Sequence, residues 1–133
     1  MSRKISIFAK KFSMAFTFEK LDVWVKSGHL VKEVYSLLNN FPGNEKYALC
    51  DQLRRAIVSV PSNIAEGSGR PSAKERVRFV EIAYGSLMES FCQLRLASEL
   101  GYVSAETIEN IRPKFEEIAR MLSGFRKGLL AQA

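Results

Sequence analysis

Apolar residues recur at intervals of three and four along most of the chain, which is the spacing that places side chains on one face of an α-helix. Four such stretches are separated by short segments rich in glycine, proline, serine and asparagine. The last stretch follows Ser104, a good N-cap, and has apolar residues at Ile108, Ile111, Phe115, Ile118, Leu122, Phe125 and Leu129. No stretch shows the apolar–polar alternation of a half-buried β-strand. The pattern therefore predicts an all-α fold with four long helices.

The first two predicted helices cover residues 18–39 and 44–66, with Thr17 and Asn44 as N-caps. The first helix carries a heptad-like seam at Leu21, Trp24, Gly28, Val31, Tyr35 and Leu38. The second carries a wider apolar face at Leu49, Leu53, Ala56, Ile57, Val58, Val60 and Ile64. A face this wide predicts burial against a partner subunit in addition to burial within the chain.

Pro61 lies inside the second predicted helix. A proline in a helix interior removes one backbone hydrogen bond and clashes with the carbonyl four residues earlier, which costs about 3 kcal/mol in an ordinary helix. We expect a kink between Ile57 and Pro61, and a complete break of the helix is the alternative.

The third predicted helix covers residues 72–100. Ser72 and Glu75 form the S-x-x-E pattern of a capping box, and Gly101 suits the left-handed conformation that ends a helix. The seam of this helix comprises Val77, Val80, Tyr84, Leu87, Phe91 and Leu94. Because short connections join helices of this length, we expect residues 17–133 to form an antiparallel up-down four-helix bundle.

The composition is that of an ordinary globular protein, with 133 residues, 47% hydrophobic and 26% charged. Cys50 and Cys92 lie within predicted helices and outside any CxxC pair, so we expect two buried, reduced thiols in a cytoplasmic protein. The single histidine, His29, excludes the two E-x-x-H motifs of a di-iron bundle. We therefore expect no metal, no cofactor and no enzymatic activity. No apolar run reaches the roughly 20 residues of a transmembrane helix, so we expect no membrane partner.

The net charge of +6 is concentrated near the N-terminus. Residues 1–16 contain Arg3, Lys4, Lys10 and Lys11 and no acidic residue. We expect residues 1–16 to be a basic, disordered extension ahead of the bundle. One alternative is an arm that binds a membrane surface or a partner. Another is that translation starts at Met14, in which case residues 1–13 would not belong to the natural protein.

The segment Gln52–Arg70, QLRRAIVSVPSNIAEGSGR, resembles the signature of the bacterial four-helix-bundle proteins, also called large-subunit rRNA intervening-sequence proteins. Further segments that resemble this family are LDVWVKS, FPGNEKYAL, IAYGSLMES and LASELGY. The resemblance covers about residues 18–130. The family commonly has two glutamates shortly after GSL. Here Glu89 matches the first and Phe91 replaces the second, so a role that requires both carboxylates does not transfer to this chain.

The resemblance implies a homopentamer in which bundles stand side by side around a central pore. The family name reflects genes that lie within insertions in ribosomal RNA genes, which is a statement about gene location. A related accessory protein of diversity-generating retroelements is similar in fold and works with a reverse transcriptase and nucleic acid. The resemblance therefore implies RNA, DNA or a nucleoprotein as the partner. A protein-interaction scaffold is the alternative function.

Six basic residues form the densest cationic set outside the N-terminal segment: Arg54, Arg55, Arg70, Lys74, Arg76 and Arg78. Clustered cations of this kind bind phosphate groups, and a ring of subunits would repeat the cluster. The alternatives are a solvated face, or salt bridges between subunits for Arg54 and Arg55. No aromatic residue is interleaved with the set, which argues against stacking on bases.

Polar residues near the apolar faces of the second and third predicted helices are interpreted as a structural network that sets helix register: Gln52, Asn63, Glu66 and Glu89. The segment Gly67–Arg70 precedes a predicted helix, which is the position of an anion cradle. It lacks the spacing of a nucleotide-binding P-loop. A simple glycine turn is the interpretation that we favour.

Overall fold

A computed structural model of the protein describes residues 16–45 and 48–132. Within these residues the chain forms no β-strand and four α-helices: α1 (Asp22–Leu38), α2 (Leu49–Ser68), α3 (Ala73–Glu99) and α4 (Ala105–Gln132). Short 3-10 helices, Thr17–Lys20 and Gly43–Glu45, precede α1 and α2. The all-α prediction is confirmed. Residues 1–15 of the predicted basic extension lie outside the described residues. None of the described helices is both long and apolar enough to cross a membrane.

All four helices contribute to one apolar core. Its most deeply buried large side chains are Leu30, Leu53, Ile57, Leu87, Leu94, Ile108, Ile118 and Leu122. The helix α2 packs on α1 and α3, and α4 packs on α3 and α1, so each helix has two neighbours. Full burial of one such aliphatic side chain contributes roughly 1.5–3 kcal/mol to folding. This shared core is therefore the main source of stability.

The predicted boundaries around α3 are confirmed. The backbone N–H of Glu75 donates to Ser72 Oγ at 3.2 Å, and Ser72 Oγ also lies 3.3 Å from Glu75 Oε2. After α3, Gly101 has φ +81°, the left-handed region that only glycine adopts readily. The Tyr102 N–H reaches back to the carbonyl of Ala97 at 2.9 Å, which satisfies a terminal carbonyl of the helix. Ser104 Oγ accepts from the Thr107 N–H at 3.1 Å and so begins α4.

The predicted starts of the first two helices are wrong. Thr17 opens a separate 3-10 turn, and the extended backbone at Leu21 (ψ 121°) divides that turn from α1. Asn44 lies in the second 3-10 turn, five residues before α2 begins at Leu49. Neither α1 nor α2 has a side-chain N-cap. Good capping residues therefore marked the turns that precede these helices rather than the helices themselves.

The core face of α1 is also shifted from the predicted seam. The buried side chains are Val23, Ser27, Leu30, Val34 and Leu38. Tyr35, assigned to the core from its spacing, is 40% exposed, and Trp24 is only half-buried. The helix has apolar residues on two adjacent sides, and the side with the smaller, aliphatic residues faces the core. Ser27 can be buried there because its hydroxyl donates to the Trp24 carbonyl at 2.8 Å.

The seams of the other helices agree better with the prediction. In α4 every predicted position is buried except Phe125, which is half-buried. In α3, Tyr84 is exposed, and Ala83 takes the core position beside it. Cys50 is buried as expected, whereas Cys92 is exposed because it lies on the outer side of α3. The helix α2 continues through Pro61 without a break.

The helices α2 and α3 approach each other closely at Gly67. A Cβ atom added to Gly67 would lie 2.8 Å from Phe79 Cβ, which is nearer than real Cβ atoms approach other atoms. Further along the pair, Ser86 Oγ donates to Ser59 Oγ at 2.9 Å, and Gln93 Nε2 lies 3.5 Å from Gln52 Oε1. Gly67 therefore lets the two helices meet just before the chain turns from one to the other.

We expect Gly67→Ala to lower the free energy of unfolding by about 1–3 kcal/mol, because the added methyl forces α2 away from α3. The matched control is Gly124→Ala in α4, where an added Cβ meets no atom within 4 Å. The control should raise stability by up to about 1 kcal/mol through helix propensity alone. Urea denaturation of both variants measures the difference, and effects of the same sign would contradict the close-packing argument.

Candidate functional site

Charged residues are distributed unevenly between the two ends of the helical domain. At one end the rings of Phe41 and Tyr102 lie 5.7 Å apart and join the α1–α2 connection to the α3–α4 connection. Residues 99–111 at that end contain three acidic residues and no basic one. At the other end, the α2–α3 connection and the C-terminal part of α4 line the same cavity. Around that end, basic residues outnumber acidic ones among the described residues.

We define the basic end as residues 67–80 and 120–132. The first segment contains Arg70, Lys74, Arg76 and Arg78 against one acidic residue, Glu75. The second segment contains three basic residues and no acidic one. The 3-10 turn Thr17–Lys20 and the first two turns of α1, at the same end, are neutral overall because together they contain two acidic and two basic residues. The basic end is therefore a local excess of positive charge.

The structure divides the six basic residues singled out from the sequence into two groups. Arg54 and Arg55 lie in the first half of α2, and both guanidinium groups face Asp51 at 3.6 Å and 3.9 Å. Arg54 also lies 6.0 Å from the centre of the Tyr35 ring. At about 1.5 Å per helical residue, Arg55 is roughly 20 Å from the end of α2, where the other four residues begin.

Arg70 and Arg76 hold the α2–α3 turn in place. Arg70 pairs with Glu66 at 2.9 Å, and its guanidinium carbon lies 4.8 Å from the centre of the Phe79 ring. Arg76 Nε donates to the Arg70 carbonyl at 2.7 Å. Both side chains thus have structural partners, and an aromatic ring does accompany the set, contrary to the sequence argument. The partners leave Arg70 and Arg76 partly accessible.

Lys74 and Arg78 are the most available cations of the original set. They are exposed, one turn apart on α3, and neither has an ion-pair partner among the described residues. An i, i+4 spacing places both side chains on one side of the helix. Two adjacent unpaired cations are suited to contact neighbouring phosphates of a polyanion.

Sequence reasoning missed the contribution of α4 to this end. Arg126 pairs with Glu81 of α3 at 2.6 Å, whereas Arg120 and Lys127 are exposed and have no ion pair within the described part of the chain. These residues lie far from the α2–α3 turn in sequence. The absence of acidic residues after Glu117 was the available signal.

The predicted polar network is divided among three separate contacts. Gln52 and Glu89 meet through Gln93, whose amide nitrogen lies 3.5 Å and 3.4 Å from their side-chain oxygens. Asn63 Nδ2 donates to the carbonyl and the hydroxyl of Ser59, both at 2.8 Å. Glu66 pairs with Arg70 instead. Gln93 was not identified from the sequence, because its polar side chain gave no sign of burial.

The segment Gly67–Arg70 is partly helical, although its glycines suggested a loop. Gly67 and Ser68 belong to the last turn of α2, and Gly69 has φ −89°, a value open to any residue. The hydroxyl of Ser72 already accepts a backbone N–H of the first turn of α3. These features are those of a glycine turn. Among the described residues, no group of three or more His, Cys, Asp or Glu side chains is arranged to hold a metal ion.

The outer side of α3 carries a stripe of exposed apolar and small residues. The exposed Arg78 and Glu89 also lie on this side, whose apolar and small residues are Ile82, Gly85, Cys92 and Leu96, with Ile82 and Leu96 40% and 51% exposed. We call these four residues the outer stripe. Apolar side chains that recur at helical spacing on an outer face are typical of a surface that contacts another protein chain.

Comparison with known proteins gives a family and a fold. A family model described as 23S rRNA-intervening sequence protein matches residues 19–124. A solved structure of a protein of unknown function from the S23 ribosomal protein family of Bacteroides thetaiotaomicron is similar, with a TM-score of 0.70 and 24% sequence identity. The match covers 79% of this chain and 98% of that one, and at this identity it shows the fold alone. No curated protein sequence matches the chain significantly.

We expect Gln93→Leu to leave the unfolding free energy of the isolated chain unchanged or to raise it by up to about 1 kcal/mol. Gln93 is only 7% exposed, and its Oε1 has no hydrogen-bond partner among the described residues, so the native amide is poorly compensated. The neighbouring Leu94→Ala, which creates a cavity, should cost about 2–5 kcal/mol. Urea denaturation at low protein concentration compares the two. A loss above about 2 kcal/mol for Gln93→Leu would contradict this interpretation.

Proposed function

Because the chain belongs to the 23S rRNA-intervening sequence protein family, we propose that it is a non-enzymatic cytoplasmic protein that binds RNA or DNA, free or within a nucleoprotein, through its basic end. The observation that carries the proposal is the pair of exposed, unpaired cations Lys74 and Arg78 beside the acid-free part of α4. Polyanions gain affinity mainly from such contacts, because each neutralised phosphate releases condensed counterions.

The geometry favours contacts with the sugar-phosphate backbone of a nucleic acid over sequence-specific contacts with its bases. The exposed cations project from helix surfaces, and the aromatic ring in the turn, Phe79, is covered by the Arg70 guanidinium and is therefore less available to stack on a base. The helix α3 spans 27 residues and is packed along its length, unlike a short recognition helix that enters a groove. We therefore propose binding that depends weakly on sequence and strongly on salt.

We also propose that the functional unit is a homopentamer of antiparallel up-down bundles. Support for the antiparallel arrangement comes from α2 and α3, where Gly67, Ser59 and Gln52 lie against Phe79, Ser86 and Gln93 in opposite chain order. Support for association comes from the outer stripe of α3. A ring of five copies would present five basic ends on one rim, which strengthens the attraction of a long polyanion.

The second candidate function is a protein-interaction scaffold, which the outer stripe also favours. In that case the apolar surface would bind a different protein, and the basic end would only aid solubility. An affinity purification after nuclease treatment separates the two functions. One stoichiometric protein that survives nuclease favours the scaffold, whereas loss of co-purifying material favours nucleic-acid binding.

We expect single-stranded RNA and duplex DNA of mixed sequence to bind at low salt, with affinity that falls linearly on a log–log plot against salt. Lys74→Gln/Arg78→Gln should reduce the slope for single strands by about 1.4, at about 0.7 per phosphate contact. The matched control, Arg54→Gln/Arg55→Gln, removes the same charge from the distant half of α2 and should leave the slope nearly unchanged. Electrophoretic mobility shifts measure both. Equal slopes in all three proteins would contradict the assignment of the surface.

We expect Ile82→Glu to dissociate the oligomer, because removing the solvent from a carboxylate at a contact surface is costly. Val25→Glu in α1 is the control, since Val25 is 38% exposed and Ile82 is 40% exposed. Light scattering coupled to size-exclusion chromatography should give a mass of five chains for the wild type and the control, and a smaller mass for Ile82→Glu. A monomeric wild type would contradict the pentamer and the role of the outer stripe.

A further inference from the structure

A cavity of about 350 Å³ lies at the basic end, between parts of all four helices. Its size falls in the range of small-molecule sites, which are about 300–1,000 Å³. Half of the residues that line it are aliphatic: Leu21, Val23, Ile64, Val80, Leu122 and Leu129. Five of these residues are less than 7% exposed, so core side chains form this part of the wall.

The cavity has few polar groups, and one of them is a charged side chain. Arg76 is the one charged side chain among the described residues that line it, and Thr17, Ser68 and Gln132 supply uncharged polar groups. The Nε of Arg76 donates to the Arg70 carbonyl, which anchors the guanidinium, and no carboxylate pairs with it in the described part of the chain. A half-buried guanidinium beside an apolar wall binds anions more strongly than a solvated one.

The wall chemistry distinguishes between classes of anionic ligand. A nucleobase would leave its polar edges against aliphatic carbon, where unpaired polar groups are costly. Phe125 is the single aromatic residue of the wall in the described structure. An alkyl chain has no polar group that needs a hydrogen-bond partner, and its burial is favourable in proportion to its area. The cavity therefore fits a ligand with an aliphatic chain and one anionic head.

The N-terminal segment of the protein is the competing occupant. Thr17 lines the cavity, and residues 1–15 are joined to Thr17 through Phe16. That segment contains Ile5, Phe8 and Phe12 but also four basic residues and no acidic one. Its charge has the same sign as Arg76 and as the surrounding basic end. Charge complementarity thus favours an external anion over this segment.

We propose that this cavity binds a small amphipathic carboxylate, with the aliphatic chain among the six aliphatic residues and the carboxylate on Arg76. This site is separate from the exposed cations Lys74 and Arg78, and the inference stands whether or not the basic end binds nucleic acid. The basic end would then have a small-molecule ligand in its cavity in addition to the polyanion proposed for its exposed cations.

The test uses the full chain, labelled at its Leu, Val and Ile methyl groups, and titrates it with sodium decanoate below the concentration at which decanoate forms micelles. The matched probe is 1-decanol, which has the same number of carbon atoms and no charge. Decanoate should shift the methyl resonances of Ile64, Val80 and Leu129 and leave those of the opposite end unchanged. Its dissociation constant should be at least about tenfold lower than that of 1-decanol.

Two arginine variants separate the site from general charge attraction. Arg76→Gln should raise the dissociation constant for decanoate about tenfold or more and leave 1-decanol unaffected. Arg78→Gln removes the same charge from the outer side of α3 and should change neither. Leu129→Trp, which fills part of the cavity, should weaken both probes and provides a second measurement if Arg76→Gln disturbs the turn.

Three results would overturn the proposal. The first is an absence of methyl shifts at the cavity. The second is equal affinity for decanoate and 1-decanol, or equal effects of Arg76→Gln and Arg78→Gln, which would mark a non-specific apolar space. The third is a set of nuclear Overhauser contacts between Phe8 or Phe12 and the Leu129 methyls that decanoate does not displace, which would identify the N-terminal segment as the occupant.

Discussion

The close packing of α2 against α3 at Gly67 is the constraint on which the basic end of the molecule depends. Without a side chain at Gly67, the Phe79 side chain can lie against α2, and α3 begins within a few residues. Arg70 then covers the Phe79 ring and Arg76 binds the Arg70 carbonyl, so two arginines of the turn have fixed positions. The same contact forms part of the cavity wall, because Gly67 lines it.

This arrangement separates two kinds of cation at the basic end. Arg70, Arg76 and Arg126 have partners that hold them against the fold, whereas Lys74, Arg78 and Lys127 are exposed without ion pairs among the described residues. Held cations suit a site of defined geometry, and exposed cations suit a polyanion that neutralises them without a fixed pose. The acidic opposite end gives the molecule a charge asymmetry that would orient it towards a polyanion before contact.

Local signals explain which parts of the fold were predictable. The seam of α4, the capping box at Ser72 and the left-handed Gly101 depend on residues within one or two turns, and all are present. The orientation of α1 was not predictable because two adjacent apolar stripes compete, and tertiary packing selects the one with Val34 rather than Tyr35. The α2–α3 part of the basic end was identified from local clustering, whereas its α4 part and the Gln52–Gln93 contact join residues distant in sequence and could not be found from local spacing.

The central claim is that nucleic acid contacts the end formed by the α2–α3 turn and the C-terminal part of α4. Photo-cross-linking of the full chain to RNA that contains 4-thiouridine, followed by mass spectrometry of the peptides, tests it most directly. The account predicts that adducts at low salt fall within residues 67–80 and 120–132 and disappear as salt is raised. Adducts concentrated within residues 99–111, or around Arg54 and Arg55, would contradict it.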